Sequence, residues 1–276
     1  MVRRVIVVVL DGLRPDAIDA FGMANLRALC AEGAYTLEAQ TVSPSVTACA
    51  MTSLLTGAPP EIHGMRSDKF RIPVPRGPVH PLPRVLEQHG LRSAGFMARV
   101  PFAFRGIARR LAARLGVAES GFHGSGCRDV LAGARGAIVS RRANLVLMHW
   151  VDADNAGHKV GWMSRAYGDA ARTMDDSLGE LRRMIAAGGD DGTLLVALAD
   201  HGGGGARARH HDSGHPLDRT IPIVFAGSAV LPGPLSGPVS LLDVPPTVLW
   251  SLGVPRPPSY AGSVIGDAFK RALEPA

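Results

Sequence analysis

Three apolar runs in this chain end in carboxylates, and that repeated pattern restricts the fold more than any other feature. Val5–Leu10 runs into Asp11, Leu145–Val151 into Asp152-Ala153-Asp154, and Thr193–Leu198 into Asp200-His201. Each run is short and apolar, and the first is almost wholly β-branched, the pattern of a buried strand. Ser93–Ala98 and Ile221–Ala226 read the same way. Helical patterns lie between them. Tyr167, Ala171, Met174, Leu178, Leu181 and Ile185 recur at spacings of three and four, one face of a long amphipathic helix ending at Gly188-Gly189. Pro83 to His89 reads as a shorter helix closed by Gly90. Strands separated by helices define an α/β fold, a mostly parallel central sheet with helices on both faces. No internal repeat or low-complexity linker divides the 276 residues, so a single domain over 1–276 is expected.

In such sheets ligands bind beyond the carboxyl ends of the strands. A lone carboxylate there is ordinarily a helix cap. Three that converge on one sheet edge repel one another unless cations are bound. Asp154-Asn155-Ala156-Gly157-His158 sets a carboxylate and an imidazole four residues apart, so in a first helical turn both reach one ion. Asp200-His201 is a second such pair, followed by Gly202 to Gly205, whose backbone can approach a metal or ligand closely. Carboxylate with imidazole suits Zn2+, and also Mn2+ or Fe. With Asp11 these pairs make two half-sites, so two divalent metal ions are expected, zinc first. The histidine-dense segment His210-His211-Asp212-Ser213-Gly214-His215 is expected to supply a further ligand.

The segment Ser43 to Gly57 carries small and apolar residues after Pro44 and stops at glycine, a helix signature. A hydroxyl at its start lies where the helix dipole and free backbone N–H groups favour an anion. Ser45 or Thr47 there either caps the helix or, bound to a cation, becomes an alkoxide near neutral pH.

Composition narrows the partners. The net charge of +6 is compatible with anionic small molecules. Aromatics are only 5% and form no basic-aromatic stripe, so nucleic acid is not expected as a partner. No stretch nears the roughly 20 apolar residues of a membrane span, and the apolar run after Arg3-Arg4 stops at Asp11 without a cleavage signature. A cytoplasmic protein without membrane attachment is the expectation, with Cys30, Cys49 and Cys127 as reduced thiols. Oligomeric state is not legible.

These motifs, in this order, resemble the alkaline phosphatase superfamily and its nucleotide pyrophosphatase/phosphodiesterase branch over about Arg4 to Ile265. The opening strand with Asp11-Gly12-Leu13-Arg14-Pro15-Asp16 is similar to that branch's first metal motif. Ser43 to Gly57, continued by Pro60-Glu61-Ile62-His63-Gly64, is similar to its nucleophile segment; Asp154-x-x-Gly157-His158-Lys159-x-Gly161 and Asp200-His201-Gly202 are similar to two further metal motifs. Leu242 to Thr247 and Gly262 resemble the closing helix and loop. The resemblance implies an alkaline phosphatase-like three-layer α/β/α fold. It implies one metal on Asp154, His158 and a distal histidine, and another on Asp11, Asp200 and His201, with Thr47 as the nucleophile beside the second. For the distal ligand the spacing to Ile221-Pro222 favours His211, with His215 as the alternative. It also implies in-line attack by Thr47, a phospho-threonine intermediate, and the Ala48 backbone N–H as a substrate-binding donor. The substrate would be a phosphate diester or nucleotide pyrophosphate, alternatively a phosphomonoester or phosphonate.

Two departures qualify the match. The branch's asparagine three residues past the nucleophile is replaced by Ala50, and little chain lies between Met65 and Asn144 for a large lid. Arg66, Lys69, Arg71, Arg109, Arg110 and Arg114 are basic residues there that could meet a substrate anion, although most read as solvated surface charges. A haloacid-dehalogenase-like phosphotransferase would want a carboxylate where Leu13 stands, and a nucleotide-binding module would want a glycine-rich turn after the first strand. A sulfatase is disfavoured because its modified nucleophile needs a Cys or Ser in a different local motif, and a cofactor-independent mutase because it would use serine and an additional inserted domain.

Overall fold

All seven residues of Arg4–Leu10 are buried, because this strand is walled by neighbours on both edges and helices on both faces. A computed structural model describes residues 2–68, 74–189 and 192–270 of the chain. Its sheet comprises β1 (Arg4–Leu10), β2 (Ala34–Gln40), β3 (Ser93–Met97), β4 (Val117–Phe122), β5 (Leu145–Trp150), β6 (Thr193–Leu198), β7 (Thr220–Ala226) and β8 (Gly233–Pro234). The order is β4-β3-β5-β1-β6-β7-β2-β8. The five strands from β4 to β6 are parallel throughout, whereas β7 runs antiparallel to both β6 and β2. β7 reverses because the chain returns from β6 through the 199–219 loop rather than through a full crossover helix.

Side chains alternate across β1. Val7, with Leu145 and Leu147, faces the helices Thr47–Thr56, Leu82–Gln88 and Val244–Ser251. The opposite face carries helices Ala24–Glu32, Cys127–Ser140 and Arg165–Ala186, which pack on one another and on the sheet. This is the three-layer α/β/α arrangement the sequence pattern implied. The long helix spans Arg165–Ala186, and Ser164 Oγ accepts from the Tyr167 N–H at 3.3 Å to cap it. Its buried Asp175 accepts from the amides of Asn25 and Leu26, capping Ala24–Glu32 where Met23 cannot. Arg4, buried at the start of β1, is satisfied by Thr193 Oγ1 at 2.7 Å and the Ile138 carbonyl at 2.6 Å.

β2 and β4 are strands that sequence periodicity did not announce. Ala-Tyr-Thr-Leu-Glu-Ala-Gln and Val-Ala-Glu-Ser-Gly-Phe mix polar residues into partly exposed edges, and β2 carries an irregularity between Thr36 and Ala39. No helix among the described residues is long and apolar enough to cross a membrane.

Candidate active site

β5, β1 and β6 are adjacent, so their carboxyl ends meet at one point of the sheet edge. Asp11 follows β1, Asp200 follows β6, and the helix Asp152–Val160 starts directly after β5. Gly12, at φ +69°, lets two of these ends touch: a Cβ there would stand 2.9 Å from the Asp154 Cα. Asp11, Asp154 and Asp200 are all buried, at 2%, 9% and 0% exposure.

The two carboxylates after β5 have different work. Asp152 accepts from the Cys127 N–H at 2.8 Å, capping the helix Cys127–Ser140. Asp154 turns inward, and its Oδ1 lies 3.4 Å from His158 Nε2 and 3.6 Å from His211 Nε2. Those two imidazole nitrogens are 3.0 Å apart. On the β6 side, His201 Nε2 lies 3.0 Å from Thr47 Oγ1, 3.3 Å from Asp11 Oδ1 and 3.6 Å from Asp200 Oδ2. The His201 and His211 rings stack at 3.8 Å and bind the halves into one centre.

Tautomers follow from the backbone. His158 Nδ1 meets the Arg209 carbonyl at 2.9 Å, His201 Nδ1 the Gly202 carbonyl at 2.8 Å, and His211 Nδ1 the Ser45 carbonyl at 2.6 Å. A carbonyl only accepts, so each Nδ1 carries the proton and each Nε2 turns a lone pair into the site. Burial, with His201 alongside, pushes the His211 imidazole down to about 4, which keeps it neutral. Asp11 Oδ1, Asp154 Oδ1 and Asp200 Oδ2 are buried without a hydrogen-bond partner. Burial and the neighbouring Asp200 and Asp154 charges push the Asp11 carboxyl well above its ordinary range. Burial likewise raises Asp154. At Asp200 burial acts the same way, but His201 and His149 outweigh it and hold the carboxyl low. Lone pairs and orphaned carboxylate oxygens facing one another at 3.0–3.6 Å fit divalent ions: donors at ~2.1 Å around a tetrahedral ion stand ~3.4 Å apart.

The hydroxyls of Ser43 to Gly57 separate by partner. Ser45 Oγ donates to the carbonyls of His211 and Ser213, and Thr52 Oγ1 donates to the Ala48 carbonyl. Thr47 opens the helix Thr47–Thr56, and its hydroxyl donates to His201 Nε2. The Ala48 N–H, one residue on, donates to Asp68 Oδ1 at 2.8 Å. A carboxylate oxygen thus occupies an anion-binding position at the helix N-terminus. Cys49 is a core residue, its thiol donating to the Met65 carbonyl and pushed by burial up to about 12.

Other expectations need correction. His215 is not brought to the cluster: it is exposed, and its Nδ1 accepts from the Leu217 N–H as the cap of helix Pro216–Arg219. The glycines after His201 serve packing rather than ligand approach. A Cβ at Gly202 would stand 2.1 Å from the Leu217 carbonyl, and one at Gly203 2.1 Å from the Trp162 ring. Arg66 lines a polar hollow with His158 and His211. Arg109, Arg110 and Arg114 are exposed on the helix Arg105–Arg114, and Lys69 and Arg71 lie outside the described residues.

Sequence reasoning missed His149. It is the penultimate residue of β5, paired with Val9, and 6% exposed. Its Nε2 lies 3.0 Å from Asp11 Oδ2 without hydrogen-bond alignment, and both ring nitrogens lack partners. Asp11, His149 and Asp200 bring donor atoms within 4.8 Å of one another, as do Asp154, His201 and His211. The available signal was a histidine inside an otherwise apolar strand, one residue before its end.

The fold is that of the alkaline phosphatase superfamily. Residues 5–80 and 104–230 match the family described as type I phosphodiesterase / nucleotide pyrophosphatase, and the chain belongs to that family. Among curated relatives, the 2,3-bisphosphoglycerate-independent phosphoglycerate mutase of Desulforudis audaxviator (strain MP104C) is 36% identical over 126 residues, 44% of this chain and 23% of the mutase. The chain thus spans less than a third of the length of such relatives. Among solved structures, the inactive variant of murine ectonucleotide pyrophosphatase/phosphodiesterase 5 in complex with AMP has a TM-score of 0.76 at 14% identity, covering 97% of this chain and 100% of that one. A phosphonate monoester hydrolase from Silicibacter pomeroyi has a TM-score of 0.73 at 15% identity, covering 95% and 75%. At such identities the likeness is one of fold. Family and fold place the chain in that superfamily and support a metal-dependent phosphoryl-transfer chemistry.

Proposed function

We propose that this chain, acting as one catalytic domain, hydrolyses phosphate esters of the diester or nucleotide pyrophosphate type with Thr47 as nucleophile. The observation that carries the reading is the Thr47 hydroxyl, which opens a helix 3.0 Å from the lone-pair nitrogen of buried His201. Asp154, His158 and His211 would hold one divalent ion; Asp11, Asp200 and His201 would hold the other, beside Thr47. The nitrogen and oxygen donor set suits Zn2+, with Mn2+ or Fe as alternatives. When bound, such ions lower the pKa of a neighbouring hydroxyl and neutralise charge on the phosphoryl and leaving oxygens.

The chain's own groups do the rest. Thr47 Oγ1 gives up its proton to solvent and attacks phosphorus; its bond to phosphorus forms as the bond to the leaving oxygen breaks on the opposite side, and the leaving oxygen takes up a proton from solvent. The Ala48 N–H, now donating to Asp68, donates instead to a non-bridging phosphoryl oxygen. Water then attacks phosphorus of the phospho-threonine, the bond from phosphorus to Thr47 Oγ1 breaks, one water proton passes to Oγ1, and the phosphate monoester leaves. His211 and His158 keep their lone pairs aimed inward because the Ser45 and Arg209 carbonyls hold their Nδ1 protons.

A panel of nitrophenyl monoester, nitrophenyl diester, nucleotide pyrophosphate and phosphonate, with wild type and Thr47→Ala, tests this. The diester or pyrophosphate should lead, and Thr47→Ala should lose at least ~1,000-fold in kcat. Undiminished turnover by Thr47→Ala overturns the nucleophile assignment.

A further inference from the structure

Thr47, Ala48 and His149 also form the inner end of a cavity of about 540 Å³. It runs between the sheet edge formed by β3, β4 and β5 and the helix Arg105–Arg114. Its volume falls in the ~300–1,000 Å³ range of small-molecule sites. Met51, Leu55, Phe96, Leu111, Leu115 and Phe122 supply much of its wall. Asp68 joins Thr47, Ala48 and His149 at the catalytic end, and away from these Ser120 is the one polar side chain among the described lining residues. A nucleobase and ribose placed here would leave their donors and acceptors unpaired, a heavy penalty in a dry pocket. An apolar chain loses nothing there.

The helix over the cavity points the same way. None of the residues of Arg105–Arg114 is buried. Of the ten exposed large hydrophobic residues described, Met97, Phe102, Phe104, Ile107 and Leu111 fall within residues 97–111, and Met97 and Leu111 line the cavity. A patch of that kind marks a site that takes an apolar ligand.

A second hollow, of about 320 Å³, is polar and is lined by Arg66, His158, His210, His211 and Asp212. Asp68 lines both hollows; otherwise the polar one holds His158 and His211 but not Thr47, and the apolar one holds Thr47 and His149 but neither of those histidines. Attack by Thr47 expels the leaving group away from Thr47, toward the polar hollow.

The geometry points to an amphiphilic phosphodiester as substrate, with a long alkyl or acyl-chain ester group retained on phosphorus in the apolar cavity and a polar leaving group on the far side. This rests on the phosphoester-hydrolase reading of Thr47 and specifies its substrate class.

The test uses p-nitrophenyl esters of methyl, butyl and octyl phosphate, kept below their micelle concentrations. In wild type kcat/KM should rise about 2-fold per added methylene, at least ~100-fold from methyl to octyl, since each methylene is only partly withdrawn from water. Ala112→Trp fills the cavity and should cut the octyl-to-methyl ratio at least tenfold; Ala108→Leu serves if the first variant fails to melt cooperatively. Turnover of the methyl ester with no rise along the series overturns the substrate class and leaves the hydrolase reading standing. If no ester is turned over, the hydrolase reading fails, and titration with butyl- and octylphosphonate decides the cavity by itself. Affinity that climbs with chain length and is lost in Ala112→Trp sustains it, and chain-independent affinity ends it.

Discussion

The Nε2 atoms of His158 and His211 face each other at 3.0 Å, while each ring's Nδ1 is held by a backbone carbonyl. Two lone pairs at that separation repel unless a cation sits against both. His211→Ala should therefore lower affinity for one of two zinc ions and cut turnover at least ~100-fold, above the 10–100-fold cost of losing a mere outer-shell partner. His215→Ala, remote and exposed, should stay within about twofold of wild type. Zinc titration of both variants beside steady-state assays checks the pair; equal losses in both would undo the choice between them.

His149 makes a separate case. Buried with both nitrogens unpartnered and 3.0 Å from Asp11 Oδ2, it is placed to add a nitrogen donor to the Asp11–Asp200 half of the centre. His149→Gln should weaken the affinity of that half for zinc by about 10- to 100-fold, read by competition with a chromophoric chelator. Unchanged affinity would make His149 a wall of the cavity only.

Asp68 occupies the donor that the phosphoryl oxygen needs. Its Oδ1 takes the Ala48 N–H at 2.8 Å, and its charge raises the carboxyl of Asp11 among others. Asp68→Ala should lower KM about 2- to 10-fold with little change in kcat, since one anion no longer competes with another. A raised KM would mean that Asp68 helps bind substrate instead.

Stability should fall on the acid side for a reason unrelated to metal. His63 is buried, accepts the Met65 N–H at Nδ1 and donates from Nε2 to Ser53, and burial pushes it from 6.5 down to about 4. Its folded value is depressed, so below 6.5 the unfolded chain takes up a proton that the folded chain refuses. The contribution is whole above pH 6.5 and is lost as pH falls toward 4. Thermal melts of metal-free protein should drop across this window, with a shallower slope in His63→Gln.

Much of this was legible in sequence, and the failures are informative. β1, β5 and β6 announced themselves because central parallel strands need continuous apolar runs, and their terminal carboxylates marked the site. Asp154 and His158 needed only helical spacing, but choosing Thr47 over Ser45 needed motif register, since either hydroxyl can cap a helix. What distinguishes them, the turn of Ser45 to the His211 carbonyl, is a tertiary contact. Spacing favoured His211 but left His215 as an alternative for the same reason: a four-residue shift decides whether an imidazole enters the centre or caps a short helix. β4 hid behind the polar residues that an edge strand tolerates, and so did β2, which only the two-residue β8 covers on its outer side. The apolar cavity has no local signature, being assembled from residues between Thr47 and His149.

The central claim is a two-metal centre that activates Thr47. Elemental analysis of protein loaded with zinc and passed through a desalting column measures it directly. About two ions per chain are predicted, falling to about one in His211→Ala. A wild-type chain that retains none would contradict the account.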